Sequence, residues 1–275
     1  METINCPICS STGINTFIEL KDRFKINNKT FNLTKCECSL IYLNPRPKQE
    51  DIGKYYKDDK YSPHHNVSIF YKLAQSLSFF WKYKLIRKYS NKDTKVLDYG
   101  SGRGEFSNYL TERNVVVNSF EPILKTDKNT DVMKKNEYNI ITLWHSLEHI
   151  HNLDKAFNDI SLSIKDKGVL FIAIPNINAV EKYFFNNDWV AYDVPRHLYH
   201  FNEKSLNKLL NKYNFKILNS KPILQDTLYN IYLSIKSKNI LMKLFKFTFI
   251  SLTSLFIILL NSNKSSSKLY TCTKK

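Results

Sequence analysis

The chain has 275 residues, of which 43% are hydrophobic and 14% aromatic; this is ample for a packed core and excludes a disordered chain. Its formal net charge is +16, but few of the lysines cluster with the arginines and aromatics that a nucleic-acid surface needs, so no nucleic-acid partner is expected. Residues 1–11 have no apolar core behind a basic start, which predicts no signal peptide, a cytoplasmic location and reduced cysteines.

In chain order, the first 47 residues hold Cys6, Cys9, Cys36 and Cys38, and their alternation of polar and apolar residues predicts short strands around two cysteine turns. Two thiol pairs in a reducing compartment point to a closed, structural zinc site; the alternative is four buried thiols. Pro45 and Pro47 break this pattern. Residues 48–66 are polar and Tyr-rich, a short helix plus loop. Across 67–89, Ile69, Phe70, Leu73, Leu77, Phe80, Trp81, Leu85 and Ile86 recur at helical spacing. Strands are predicted at 95–99, 115–120, 138–144, 168–174, 215–224 and 269–273, with helices at 105–113, 154–164 and 203–213. Such alternation implies a parallel sheet covered on both faces. Residues 176–202 read as a long aromatic-rich loop, a length that is often functional.

Three of the six glycines stand at 100, 102 and 104, between a strand and a helix. Gly-x-Gly-x-Gly lets a ligand approach the backbone closely, but alone it suits a dinucleotide, a nucleotide or nothing. Asp98, at the carboxyl end of the strand, would repel a pyrophosphate. It favours a phosphate-free cation such as S-adenosylmethionine, with its ammonium and sulfonium. Glu121 ends the next strand, where a carboxylate can accept both ribose hydroxyls. A nicotinamide-dependent reductase would instead show Gly-x-Gly-x-x-Gly and no acid at position 98.

Residues 96–106, Val-Leu-Asp-Tyr-Gly-Ser-Gly-Arg-Gly-Glu-Phe, resemble the first motif of class I S-adenosylmethionine-dependent methyltransferases, and Phe120-Glu121-Pro122 the second. Residues 141–150 resemble the fourth-strand motif of the ubiquinone-biosynthesis-like branch, and residues 195–201 a segment of bacterial members with an N-terminal zinc-ribbon-like cysteine cluster. The resemblance implies an α/β fold, a doubly wound Rossmann-like sheet of seven strands, with a small N-terminal cysteine-rich β module. It also implies that Asp98, Gly100, Ser101, Gly102, Gly104, Glu121 and Trp144 bind the cofactor. The chain departs from the family in two places. Residues 123–137 are short for the helix, strand and adenine-side acid usual there, Asp131 being the candidate acid. The second cysteine pair is Cys-x-Cys before Ser39-Leu40, where the family has Cys-x-x-Cys before Gly-Leu.

In similar O-methyltransferases, acids and histidines after the fourth strand lie near the acceptor, which makes His145, Glu148 and His149 the catalytic candidates. A hydroxyl acceptor needs a base, and His149 or His145 would take its proton; the alternative is helix capping. Some relatives hold a divalent metal here, but His145 stands where the quinone branch tends to have glutamate, which argues against one. Arg196, His197 and His200 would bind an anionic acceptor such as a sugar acid or phosphate, or else anchor their loop.

Residues 240–260 are strongly apolar, yet the charge-free stretch 247–260 covers as a helix only about 21 Å of the roughly 30 Å hydrocarbon layer. The resemblance returns the last strand to the sheet, so a single span is not expected. An interfacial helix or re-entrant hairpin on anionic lipid is expected instead, peripheral on the inner face of the membrane; a buried helix or self-association surface is the alternative. The predicted organisation is a zinc-ribbon-like module at 1–47, a helical linker and N-terminal helix at 48–94, and a methyltransferase domain at 95–275 with an apolar insertion. The expected activity is methyl transfer from S-adenosylmethionine to a small-molecule, sugar or lipid-linked acceptor, to oxygen before carbon. The rival is a non-catalytic binding module with a degenerate methyltransferase fold.

Overall fold

A computed structural model describes residues 1–12, 14–56, 69–122 and 134–275. The N-terminal part forms β1 (Ile14–Lys21), β2 (Thr30–Cys36) and β3 (Ile41–Leu43). A 3-10 turn at Ile52–Tyr56 precedes α1 (Ile69–Lys88). The alternating region follows: β4 (Lys95–Tyr99), α2 (Glu105–Thr111), β5 (Val116–Phe120), β6 (Tyr138–Trp144), α3 (Leu153–Ser163) and β7 (Ile164–Pro175). Next come α4 (Lys182–Phe185), β8 (Tyr199–His200), α5 (Glu203–Lys212) and β9 (Phe215–Pro222). The chain closes with α6 (Leu224–Ser234), α7 (Ile240–Leu260) and β10 (Ser267–Lys274).

The main sheet runs β5-β4-β6-β7-β10-β9. The pairs from β5 to β7 are parallel, and β10 lies antiparallel between β7 and β9. This is a Rossmann-like, mostly parallel α/β sheet. It has six strands among the described residues, against the seven expected; Asp131 and the rest of 123–133 lie outside them. Its inner strands are covered on both faces, so β4 and β6 read as continuous apolar runs, Val96-Leu97 and Ile140-Ile141, and not as alternation. The helices start where side chains cap them: Asn152 accepts Lys155 N–H at α3, and Asn202 and Ser205 form a capping box at α5.

The small sheet runs β1-β2-β3-β8, with Tyr42 opposite Tyr199 and Ile41 opposite His200. Its last strand is thus donated by the expected loop 176–202. Phe31, Leu33 and Leu40 share one core with Leu97, Ile141 and Ile172, so residues 1–47 have no core of their own. The stretch 176–202 is itself ordered and buried through Trp189, Tyr192, Val194 and Leu198, with short helical turns at Lys182–Phe185, Asn186–Asp188 and Val190–Tyr192.

In the C-terminal part the segment 240–260 is one continuous helix, the first of the two forms expected and not the hairpin. Helix α6 was not expected from the sequence, and its pattern explains why: Thr227 and Ser234 face inward with Ile231, while Tyr229, Tyr232 and Leu233 face out. An inverted stripe defeats a search for apolar residues on the inner face.

Candidate active site

The glycine loop follows β4 at its carboxyl end. Gly100, Gly102 and Gly104 have φ of +78°, +55° and +77°, a left-handed backbone that favours glycine. The turn is pinned to the neighbouring strand: Gly100 and Ser101 N–H both donate to Phe120 O, at 2.7 and 3.2 Å. A Cβ on Gly100 would lie 2.2 Å from Ser146 Cβ, so the β6 loop packs directly against this glycine. Glu121 is buried, and its Oε2 accepts Gly102 N–H at 2.8 Å.

Beside the loop is a pocket of about 270 Å³ lined by Asp98, Ser101, Gly102, Phe106, Trp144 and Lys82, among others. Asp98 is buried and accepts from Ser107 Oγ at 3.0 Å and Thr142 Oγ1 at 2.9 Å. Burial pushes its carboxyl pKa up, opposed by those two hydroxyls and by Lys82. Trp144 Nε1 is buried with no hydrogen-bond partner among the described residues. Lys82 Nζ stands 4.9 Å from the Trp144 ring centroid and 5.6 Å from that of Phe106, with Phe79 and Trp81 each at 5.9 Å. Such rings favour a cation, while burial lowers the lysine's pKa. Lys82 was not singled out in the sequence, because nothing local distinguishes it from the other lysines of α1.

The second half of the site follows β6. His145 adopts φ +53°, and its Nε2 lies 2.8 Å from Asp226 Oδ2 on α6 while its Nδ1 lies 3.5 Å from Glu148 Oε1. Burial opposes the charge on this imidazole, but the two carboxylates win and raise its pKa to about 10. The two carboxylates hold the His145 imidazole in its charged form, so of the two histidines expected as a base it fits that part less well than His149. A linkage follows. A pKa raised from 6.5 stabilises the fold fully below pH 6.5, and the benefit fades as pH climbs toward about 10. Denaturant midpoints for wild type and Asp226→Asn are expected to differ most at pH 6 and to converge by pH 10.

His149 is set differently. Its Nδ1 lies 3.0 Å from both Arg196 O and Tyr56 Oη. A carbonyl can only accept, so Nδ1 carries the proton and Nε2 keeps its lone pair. Burial, helped by His197, lowers its pKa to about 4, leaving it neutral. The His149 and His197 rings lie 4.8 Å apart, and His197 Nδ1 donates to Ala191 O at 2.9 Å. Glu148 is buried and ionised: burial resists its charge, but His145 and His149 bring its pKa to about 2. Ligand atoms of Glu148, His149 and His197 lie within 4.8 Å of one another, a spacing that fits either a proton-transfer group or a cation.

Two of the three residues expected to bind an anion lie inside the fold. Arg196 is wholly buried, its Nη2 2.7 Å from Asp22 Oδ1 and 2.8 Å from Asp193 Oδ1, and its Nη1 donates to Tyr55 O at 3.2 Å. Its charge is already neutralised, and it ties the N-terminal module to the site loop. His200 is buried in β8 and kept neutral, its pKa lowered to about 3 chiefly by burial, so it offers no charge to an anion. Only His197 remains beside the catalytic candidates.

The cysteines converge as two pairs. Cys6 and Cys38 Sγ are 3.5 Å apart, Cys9 and Cys36 Sγ 3.4 Å apart, and all four lie within 4.8 Å of one another. Tetrahedral zinc thiolates place sulfurs roughly 3.8 Å apart, so the donor set fits. The short second pair is accommodated by a turn in which Ser39 takes φ +77° and donates its N–H to Cys36 O at 2.9 Å. The fifth cysteine, Cys272, is packed in β10.

A family model described as a methyltransferase domain matches residues 65–220. An uncharacterized protein of Methanocaldococcus jannaschii is 27% identical over 161 residues, 53% of this chain and 70% of that protein. A SAM-dependent methyltransferase from Archaeoglobus fulgidus is similar in structure, with a TM-score of 0.42 and 17% identity, covering 76% of this chain and all 100% of that one. The phosphoethanolamine N-methyltransferase 2 of Haemonchus contortus, solved with S-adenosyl-L-methionine, gives a TM-score of 0.48 at 12% identity, over 94% of this chain and 71% of that one.

Proposed function

The chain belongs to the methyltransferase-domain family, and on that premise we propose that it uses S-adenosylmethionine to methylate a hydroxyl of a small-molecule, sugar or lipid-linked acceptor. The observation that carries this reading is the pocket at the glycine loop. It offers one buried carboxylate, Asp98, and one half-buried amine, Lys82, beside aromatic faces. That set complements a zwitterionic amino-acid head carrying a further positive charge, and the Asp98 carboxylate at its centre would repel a phosphate. The buried Trp144 Nε1–H is a donor awaiting an acceptor there.

When bound, the cofactor supplies a methyl group on a sulfonium, which leaves as a neutral thioether. The chain's own residues then hold the acceptor and remove its proton. His149 Nε2 is the base: it is neutral and sits beside the ionised Glu148, whose charge would stabilise the imidazolium formed on proton transfer. His197 faces the same space and orients the acceptor. His145, already charged and fixed by Asp226, sets the field at the end of β6.

A second reading has one observation in its favour. Neither oxygen of Glu148 has a hydrogen-bond partner among the described residues, and the three ligand atoms of Glu148, His149 and His197 would suit a divalent cation. Chelation separates the two when folding is followed alongside activity, since the base reading keeps activity in EDTA as long as the protein stays folded. Methyl-labelled cofactor offered to a panel of hydroxylated sugar and lipid-linked acceptors tests the reaction. The expected product is a methyl ether; label on carbon or nitrogen would overturn transfer to oxygen.

We also read the four cysteines as a structural zinc site. One zinc per chain is expected in freshly purified, reduced protein, and none in Cys9→Ser/Cys36→Ser. Because the module shares its core with the main sheet, losing even about 3 kcal/mol of metal binding would lower the melting midpoint by roughly 6–12 °C.

A further inference from the structure

We propose that α7 is a one-leaflet anchor that lies along an anionic phospholipid surface. The helix is polarised the wrong way for a protein interior. Ser251 and Ser254 point inward with Ile250 and Ile258, while Leu241, Phe245, Phe249, Leu252, Phe256 and Leu259 form the outward stripe, each at least 55% exposed. Only 22% of its apolar window is buried in the protein, which rules out a core helix. Helix α6 beside it is inverted in the same sense, with Tyr229, Tyr232 and Leu233 outward, so the apolar surface spans two helices.

Length alone would allow α7 to cross a bilayer. Its connections forbid it. The helix leaves α6, which follows β9, and returns through the turn at Ser262–Lys264 to β10, and β9 and β10 pair along Leu269↔Lys221 and Tyr270↔Ser220. One crossing would place paired strands on opposite sides of the membrane. The helix must therefore lie in the plane of the interface.

Charge selects the occupant. After Asp226 the chain has no Asp or Glu, and although Lys268 is buried against Glu203 and Lys236 pairs with Asp188, Lys238, Lys243 and Lys246 stand at the start of the stripe. Lys243 and Lys246 flank the stripe, with Lys243 Nζ 4.2 Å from the Tyr232 ring centroid, a place from which a long side chain reaches headgroups. A symmetric pairing of two such faces would bring these lysines together, whereas an anionic leaflet satisfies both features at once. The surface adjoins the site: Ser234 Oγ of α6 accepts Val190 N–H at 2.9 Å, and Asp226 of α6 holds His145.

Flotation of the purified full chain with vesicles tests this inference, and it does not depend on the reaction. The protein is expected to float with equal phosphatidylglycerol and phosphatidylcholine, weakly with phosphatidylcholine alone, and less as salt rises. In Phe249→Glu/Phe256→Glu, partitioning onto the anionic vesicles is expected to fall by roughly tenfold or more, with the melting midpoint unchanged. Lys243→Gln/Lys246→Gln, which leaves the stripe intact, is expected to lose the preference for anionic lipid. Wild type that fails to float, or a folded Phe variant that floats like wild type, would overturn the anchor. So would a lipid-free dimer that the Phe variant converts to monomer while wild type ignores vesicles; that outcome would assign the face to a second copy of the chain.

Discussion

Arg196→Ala is expected to destabilise the protein by about 3–5 kcal/mol, the largest effect on stability of any single replacement at the site. The guanidinium is fully buried, and Asp22 and Asp193 both depend on it. Removing it strands two buried carboxylates, one of which, Asp193, is held at a pKa of about 2 against its own burial chiefly by Arg196. Asp193 keeps a second cation, Arg23 at 2.9 Å, while Asp22 otherwise accepts from the backbone N–H groups of Phe24 and Ile26 among the described residues. The cost should therefore appear as loosening of β1 from the site loop. Chemical denaturation of wild type and variant measures the total, and hydrogen exchange across Ile14–Lys21 locates it. If the residue bound an anionic acceptor instead, the variant would lose acceptor affinity and keep its stability.

His149→Ala is expected to lower the rate of methyl transfer by roughly 10²- to 10⁴-fold, the range for a general base, with cofactor affinity unchanged. The affinity should hold because His149 lies outside the glycine-loop pocket. The pH profile adds a sign. A base whose pKa is lowered from 6.5 to about 4 stays active well into acid, so the acid limb of kcat/KM should fall near pH 4 and not near pH 6.5. His145→Gln should move neither limb, since His145 does not lose its proton until about pH 10; it should instead remove the pH-dependent stability tied to Asp226.

What was legible in the sequence was what is local. Strand β4, the glycine turn and the start of α2 depend on neighbouring residues, and Asp98, Gly100 and Trp144 line one pocket beside that turn. Each cysteine turn is local in the same way and brings its own two thiols, but the close sulfur pairs, Cys6 with Cys38 and Cys9 with Cys36, join the two turns across the module. The roles of charged side chains were not legible. Arg196 in a loop reads as available, but its partner Asp22 is 174 positions away and closes the pair out of water. His145 and His149 are four residues apart and look equivalent, yet Asp226 of α6 charges one while burial neutralises the other. Lys82 acquires its meaning only when α1, α2 and β6 bring Phe79, Phe106 and Trp144 around it. Helix α6 escaped notice because its stripe is inverted, and that inversion is itself the mark of a surface meant to be covered.

The central claim is that the glycine loop and Asp98 form a site for S-adenosylmethionine. Isothermal titration of the cofactor into wild type and Asp98→Asn tests it most directly. The asparagine oxygen can accept from one of the two hydroxyls of Ser107 and Thr142 and its amide N–H can donate to the other, so the loop's support is retained while the charge is removed. Saturable one-to-one binding is predicted for wild type, weakened at least about tenfold in the variant, the loss of one favourable charge interaction. Absence of binding to the folded wild-type protein would contradict the account and leave the chain a methyltransferase fold without its chemistry.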